Sequence, residues 1–199
     1  MKKLLLGIAA VCLAGFTFAQ DAPLWMRHSV ISPDGTTIAF TYKGDIYTVP
    51  VAGGRAMQIT TNPAYDTAPV WSPDSKRIAF ASDRMGSLDV YIVAKDGGEP
   101  RRLTTHSGSE TPLAFTDAGH ILFSAGIMPS AEAVVFPSNG QFNQVYRVSV
   151  EGGRPTMISS MPMECISINK EGAMLYQDKK GYEDYWRKHH VSPIARDIW

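Results

Sequence analysis

The chain has 199 residues, of which 44% are hydrophobic and 10% aromatic, and this composition supplies enough apolar material for a packed core. It therefore excludes an intrinsically disordered protein. Nineteen basic residues balance nineteen acidic ones, so the formal net charge is zero. Such a balance argues against a protein that binds nucleic acid or an anionic membrane surface through its charge.

The N-terminal segment has the pattern of a secretory signal peptide. Lys2 and Lys3 give a positive start, residues 4–18 form an apolar run, and Ala19 ends a stretch suited to cleavage. We predict that residues 1–19 are removed and that the protein is exported. The apolar run is too short to span a bilayer comfortably, and no later segment reaches about 20 apolar residues. The mature chain is therefore predicted to have no membrane span.

Removal of this segment also removes Cys12 and leaves Cys165 as the only thiol, so an internal disulfide is excluded. Cys165 lies in the alternating segment 164–168, with no histidine nearby in sequence. This pattern favours a buried, inert cysteine over a nucleophile.

A repeat of about forty residues organises the chain. Its first copy contains the sequences Ile-Ser-Pro-Asp-Gly, Ile-Ala-Phe, Asp-Ile-Tyr, Gly-Gly and Gln-Ile-Thr, at residues 31–35, 38–40, 45–47, 53–54 and 58–60. The second copy has the same order, at residues 71–75, 77–84, 89–93, 97–98 and 102–104.

Each part of the repeat has a local structural meaning. Ser-Pro-Asp-Gly is a turn sequence that joins a first strand to a second. Ile-Ala-Phe and Asp-Ile-Tyr are short β-branched and aromatic runs, typical of the second and third strands. Gly-Gly then supplies a tight turn before a short fourth strand. One repeat therefore predicts one four-stranded antiparallel sheet, which is the blade of a β-propeller.

Two further copies follow. The third has its parts at residues 115–119, 121–124, 144–148, 152–153 and 157–158, with an insert at 125–143. The fourth starts at residue 168, contains a second insert at 182–196 and reaches Asp-Ile-Trp at 197–199.

The sequence thus predicts an all-β chain with blades at approximately 22–60, 61–104, 105–158 and 159–199, of which the fourth is only begun. Closing a ring takes four to eight blades, so we expect a fragment of a longer protein. The alternative is a half-propeller that forms a homo-oligomer through its open edges.

These parts, in this order, resemble the propeller repeats shared by TolB, the prolyl oligopeptidase group and tricorn protease. Two features resemble the tricorn-like proteases in particular. The repeats start directly after the predicted signal peptide, whereas TolB places an α/β domain first. Segments 45–54 and 185–199 look like the opening propeller of bacterial tricorn homologues. The resemblance covers residues 22–199.

The resemblance implies a noncatalytic module of an exported serine peptidase, acting as scaffold and substrate gate. Together with the predicted signal peptide, it implies the Gram-negative periplasm as the location. It implies that the catalytic residues lie in a domain beyond this chain, and that neither a cofactor nor a metal is bound here. The implied partners are peptides or unfolded protein segments and other domains of the same polypeptide. Two alternatives stay open: a TolB-like protein-binding propeller and the propeller of a dipeptidyl-peptidase-like hydrolase.

Several residues with catalytic side chains have a simpler interpretation. The chain has no Gly-x-Ser-x-Gly elbow, and Ser32 and Ser72 belong to the predicted turns. His106 and His120 fall near turns between strands. His189 and His190 lie in a basic insert that lacks ligands at zinc spacing.

The two inserts are the better functional candidates, since both join a second strand to a third strand and so lie on one rim. We expect this rim to contact the rest of the peptidase or to gate peptide entry. The alternative is that its aromatic residues only anchor the loops. These residues are Phe136, Phe142, Tyr182, Tyr185 and Trp186.

Overall fold

The computed structural model describes residues 24–126, 143–161, 163–169, 171–178 and 198. The predicted signal peptide, the five aromatic residues of the predicted rim, and His189 and His190 lie outside these residues. Within the described part, no helix is long and apolar enough to cross a membrane.

The described residues form four antiparallel sheets that follow one another along the chain. In the first three sheets, four strands lie side by side in sequence order. These three sheets are blade one, with β1 (Arg27–Ile31), β2 (Thr37–Tyr42), β3 (Asp45–Pro50) and β4 (Met57–Gln58); blade two, with β5 (Asp66–Trp71), β6 (Arg77–Ser82), β7 (Asp89–Ala94) and β8 (Arg101–Arg102); and blade three, with β9 (Glu110–Asp117), β10 (His120–Ala125), β11 (Gln144–Ser149) and β12 (Thr156–Ser159). The prediction of four-stranded antiparallel blades is confirmed.

The fourth sheet pairs β13 (Met163–Ile168) with β14 (Met174–Asp178). Beyond β14, Gln177 forms an isolated antiparallel bridge with Ile198. In blade one the equivalent pair is Thr41 with Ile46, across the second and third strands. The bridge therefore places Ile198 where the repeat predicts a third strand.

The Ser-Pro-Asp sequences close the turns between first and second strands. In blade one the Ser32 hydroxyl donates to Asp34 Oδ1 at 2.6 Å and accepts the Thr37 N–H at 3.0 Å. The Gly35 N–H donates to the Ser32 carbonyl at 2.8 Å, with Gly35 at a φ of 73°. The hydrogen bonds from Ser32 and Thr36 lower the pKa of Asp34 to about 2. The turn is thus held by its own side chains.

The core lies between successive sheets. One buried cluster joins blades one and two around Ile46, Trp71 and Phe80, and the next joins blades two and three around Phe115 and Phe123. In each complete blade, an aromatic pair stacks across the second and third strands at an equivalent position. The pairs are Phe40 with Tyr47 and Phe80 with Tyr91, each at 5.9 Å between ring centroids, and Phe123 with Tyr146 at 5.6 Å.

A β-bulge interrupts the first strand of several blades. His28, Ala68 and Cys165 occupy equivalent positions, with φ values of 50°, 51° and 51°, and the register of each strand shifts beside them. The prediction that Cys165 is buried is wrong, because this residue is exposed. Strict alternation placed it inward, but a bulge breaks the two-residue period of side-chain direction.

Candidate functional site

Buried acidic residues gather at one edge of the sheets. Asp66 and Glu110 begin the first strands of blades two and three, and Asp89 begins the third strand of blade two. In a four-stranded antiparallel sheet, these starts lie at the same edge as the ends of the second and fourth strands. All three residues are 0% exposed. Carboxylates so deeply buried need specific partners. Asp66 and Asp89 each pair with an arginine, whereas both carboxyl oxygens of Glu110 lack a hydrogen bond among the described residues.

Arg84 is the partner of Asp66. Its Nη2 lies 2.7 Å from Asp66 Oδ2, and its Nε donates to Ser82 Oγ at 2.9 Å. The guanidinium also lies over the rings of Phe80 and Tyr91, at 5.5 Å and 5.0 Å from their centroids. One side chain thus combines an ion pair with two cation–π contacts inside blade two.

Asp45 joins the third and fourth strands of blade one. Thr60 Oγ1 donates to Asp45 Oδ1 at 3.3 Å and accepts the Ile46 N–H at 2.9 Å, while Gln58 Nε2 donates to Asp45 Oδ2 at 3.0 Å. Partial burial raises the pKa of Asp45, and the negative charge of Asp66 acts in the same direction. The electrostatic interaction between Asp45 and Asp66 links the polar groups of blade one to those of blade two.

The same arrangement recurs between blades two and three with a greater concentration of charge. Arg102 Nη2 lies 2.8 Å from Asp89 Oδ2, and the Thr104 hydroxyl accepts the Val90 N–H at 2.9 Å. Burial raises the pKa of Glu110 to about 7, and Asp89 adds to this effect, whereas Thr104 and Arg102 oppose it. At neutral pH the Glu110 carboxyl therefore lies near its titration midpoint.

Among the described residues, the acidic positions of this network are not repeated at the fourth sheet. Gln144 begins β11 where the earlier blades have aspartate, and Met157 takes the place of Gln58 and Arg102 in the fourth strand. Met163 begins β13 where the earlier blades have Asp66 and Glu110. In the part of the chain that the structure describes, the buried acids with arginine partners belong to the first two junctions.

The predicted turn serines lie where the sequence placed them. Like Ser32, Ser72 donates to an aspartate of its own turn, Asp74, at 2.5 Å. Both hydroxyls are thus occupied within the turns.

The histidines have local contacts. His106 Nδ1 accepts the Gly108 N–H at 2.9 Å, and His120 Nδ1 lies 3.1 Å from both oxygens of Asp117. Ser149 is paired with His120 across β10 and β11, but its hydroxyl accepts the Glu151 N–H at 3.1 Å. Over the described ranges, no group of three or more His, Cys, Asp and Glu residues could hold a metal ion.

The sheet order, the packing between sheets and the recurrent junctions define this chain as a β-propeller with three four-stranded blades and part of a fourth. The family model of the tricorn protease N-terminal β-propeller domain matches residues 23–199. The chain belongs to this family.

Individual comparisons agree with the assignment. The chain is 35% identical to tricorn protease homolog 1 of Streptomyces coelicolor over 179 residues, which is 89% of this chain and 16% of that protein. It is similar to a TolB structure from Agrobacterium tumefaciens, with a TM-score of 0.63 and 25% identity over 86% of this chain and 59% of the other. The tricorn protease structure has a TM-score of 0.57 at 12% identity, over 79% of this chain and 19% of the other, and shows the shared fold. The chain thus spans about a sixth of the length of its tricorn homologue.

Proposed function

We propose that this chain is the noncatalytic propeller module of a tricorn-like exported serine peptidase, acting as scaffold and as a gate for peptide substrates. The observation that carries the proposal is the family match over residues 23–199. The relative from Streptomyces coelicolor is described as a tricorn protease homolog, and this chain corresponds to only 16% of it. The catalytic residues of the whole protein then belong to the remaining sequence.

A second function has its own support. The likeness to TolB from Agrobacterium tumefaciens covers 59% of that chain, a larger share than the 19% of the tricorn protease structure. It favours a propeller that binds proteins in the periplasm without cleaving them. The two functions differ in whether the complete protein hydrolyses peptides.

We expect the product of the complete gene to hydrolyse unstructured peptides, and a serine-directed covalent inhibitor to abolish this hydrolysis. The measurement is peptide cleavage followed by mass spectrometry, with and without the inhibitor. A matched control is the same preparation treated with a metal chelator, which should leave the rate unchanged. Purified full-length protein that cleaves no peptide would contradict the proposal and favour the TolB-like function.

A further inference from the structure

A groove lies at the outer side of the junction between blades one and two. Its volume is about 670 Å³, within the range of small-ligand sites. One wall is formed by Tyr47 and Met57 of blade one, and the other by Trp71 and the turn at Lys95 and Asp96 of blade two. Met57 is 46% exposed although its side chain is apolar. The groove therefore combines an apolar wall with one carboxylate.

The equivalent place at the next junction is filled by the chain itself. Arg101 occupies in β8 the position that Met57 occupies in β4, since each pairs with the equivalent residue of its third strand. The Arg101 guanidinium donates to the Val150 carbonyl, and its Nη1 lies 3.0 Å from Glu151 Oε2 in the turn of blade three. One arginine thus joins the outer strand of one blade to the turn of the next.

Blade two presents the same acceptors to the open groove. Residues 95–98 align with residues 150–153, because both segments end in a Gly-Gly pair and follow a third strand. Asp96 is therefore the counterpart of Glu151, and Lys95 that of Val150. Met57 has no group that could donate a hydrogen bond to these acceptors, as Arg101 does at the next junction.

Two basic residues and one acidic residue line the groove, but one of the basic charges is partly balanced by a neighbouring carboxylate. Lys95 lies close enough to Asp34 of blade one for its positive charge to act on that carboxylate. Asp96 has no hydrogen bond or ion pair among the described residues. Arg55 also lines the groove, and both Arg55 and Asp96 are exposed, so solvent screens the repulsion of the first as well as the attraction of the second.

We propose that this groove binds an arginine side chain from an extended polypeptide, with the guanidinium on Asp96 and the Lys95 carbonyl and the methylenes against Met57 and Trp71. The bound arginine takes the place that Arg101 has at the next junction. A planar guanidinium suits this site because it donates to a carboxylate and a carbonyl at once. The inference deepens the proposed function and rests on it, since it names the side chain that the propeller recognises.

The test uses the full-length protein with the serine-directed inhibitor present, so that the probe is not consumed. The probe is a fluorescent unstructured peptide with a single arginine among small residues, and its match replaces arginine by the neutral isostere citrulline. We expect the arginine peptide to bind about threefold tighter in fluorescence anisotropy, the scale of one exposed ion pair. Equal binding of both peptides, or no binding of either, would overturn the proposal.

Variants locate the site. Met57→Arg should fill the groove as Arg101 does and abolish the preference for arginine, and Asp96→Asn in its exposed turn should remove most of the preference. Glu151→Gln, the matched change at the filled junction, should leave binding unaltered. Arginine binding that survives both Met57→Arg and Asp96→Asn would also overturn the proposal. Inhibitor-sensitive hydrolysis without arginine preference would reject the groove alone and leave the proposed function standing.

Discussion

Glu110→Gln is expected to stabilise the junction between blades two and three by on the order of 3 kcal/mol at pH 8, with little effect near pH 4. Glu110 has an ordinary pKa of 4.5, and in the folded protein burial raises the pKa to about 7. The folded state therefore binds more protons than the unfolded state between these values. Stability falls as the pH rises through this window, by about 1.4 kcal/mol per unit of pKa difference.

Glutamine mimics the protonated carboxyl, so the variant should lose this pH dependence. The measurement is native-state hydrogen exchange of the β7 and β9 amides in the full-length protein between pH 5 and pH 8, corrected for intrinsic exchange rates. Glu99→Gln is the matched control, because Glu99 is exposed in the segment between β7 and β8. A variant that keeps the wild-type loss of protection above pH 7 would show that Glu110 is not the titrating group.

Arg84→Met is expected to destabilise blade two by about 3–5 kcal/mol, the usual result of leaving one member of a buried ion pair without its partner. Asp66 is 0% exposed and depends on the Arg84 guanidinium at 2.7 Å. The substitution also removes the cation–π contacts with Phe80 and Tyr91. Protection of the β5 and β6 amides against hydrogen exchange measures the effect.

The double variant Arg84→Met with Asp66→Asn separates charge from packing. Removing both charges should restore much of the lost stability, because the cost of Arg84→Met comes chiefly from the unpaired carboxylate. Arg101→Met is the comparison at the surface: its ion pair with Glu151 is largely exposed and should contribute far less than the buried pair. Equal losses for Arg84→Met and Arg101→Met would contradict the importance of burial.

The blades could be predicted from the sequence because the signals that specify them are local. A turn such as residues 32–37 is closed by its own side chains, and the pairing of Phe40 with Tyr47 spans one short hairpin. Because these contacts join residues that are close in sequence, they appear as a short sequence pattern. The repeat shows that pattern several times along the chain. The order of the strands within each blade could therefore be predicted.

The polar junctions could not be predicted in the same way, because their partners are distant in sequence. Arg84 is 18 residues from Asp66 in the sequence. Glu110 belongs to blade three, whereas Asp89, which acts on it, belongs to blade two. The sequence nevertheless contains one signal. Asp66 and Glu110 each stand five positions before an aromatic residue of the same first strand, Trp71 or Phe115. Superposing the repeats on these aromatic residues would have shown the recurrent acid.

The bulge of the first strand shows a different limit. Ala68 and Cys165 adopt a positive φ that their residue types do not predict, since glycine and asparagine are the usual residues in this conformation. The pairing with the neighbouring strand shifts register at these residues, so the alternation of side-chain direction is interrupted there. This is why the burial of Cys165 was predicted wrongly.

The gate at the centre of the proposed function is tested most directly by comparing two substrates, an unstructured peptide and a folded protein, in the full-length protein and in a variant that lacks the complete propeller, of which residues 22–199 form the first part. The measured quantity is the ratio of kcat/KM for the two substrates. We predict that the variant still cleaves the peptide and that its relative activity on the folded protein rises, because the chemistry lies elsewhere and the gate is gone. An unchanged ratio, or a correctly folded variant that no longer cleaves the peptide, would contradict a noncatalytic gate.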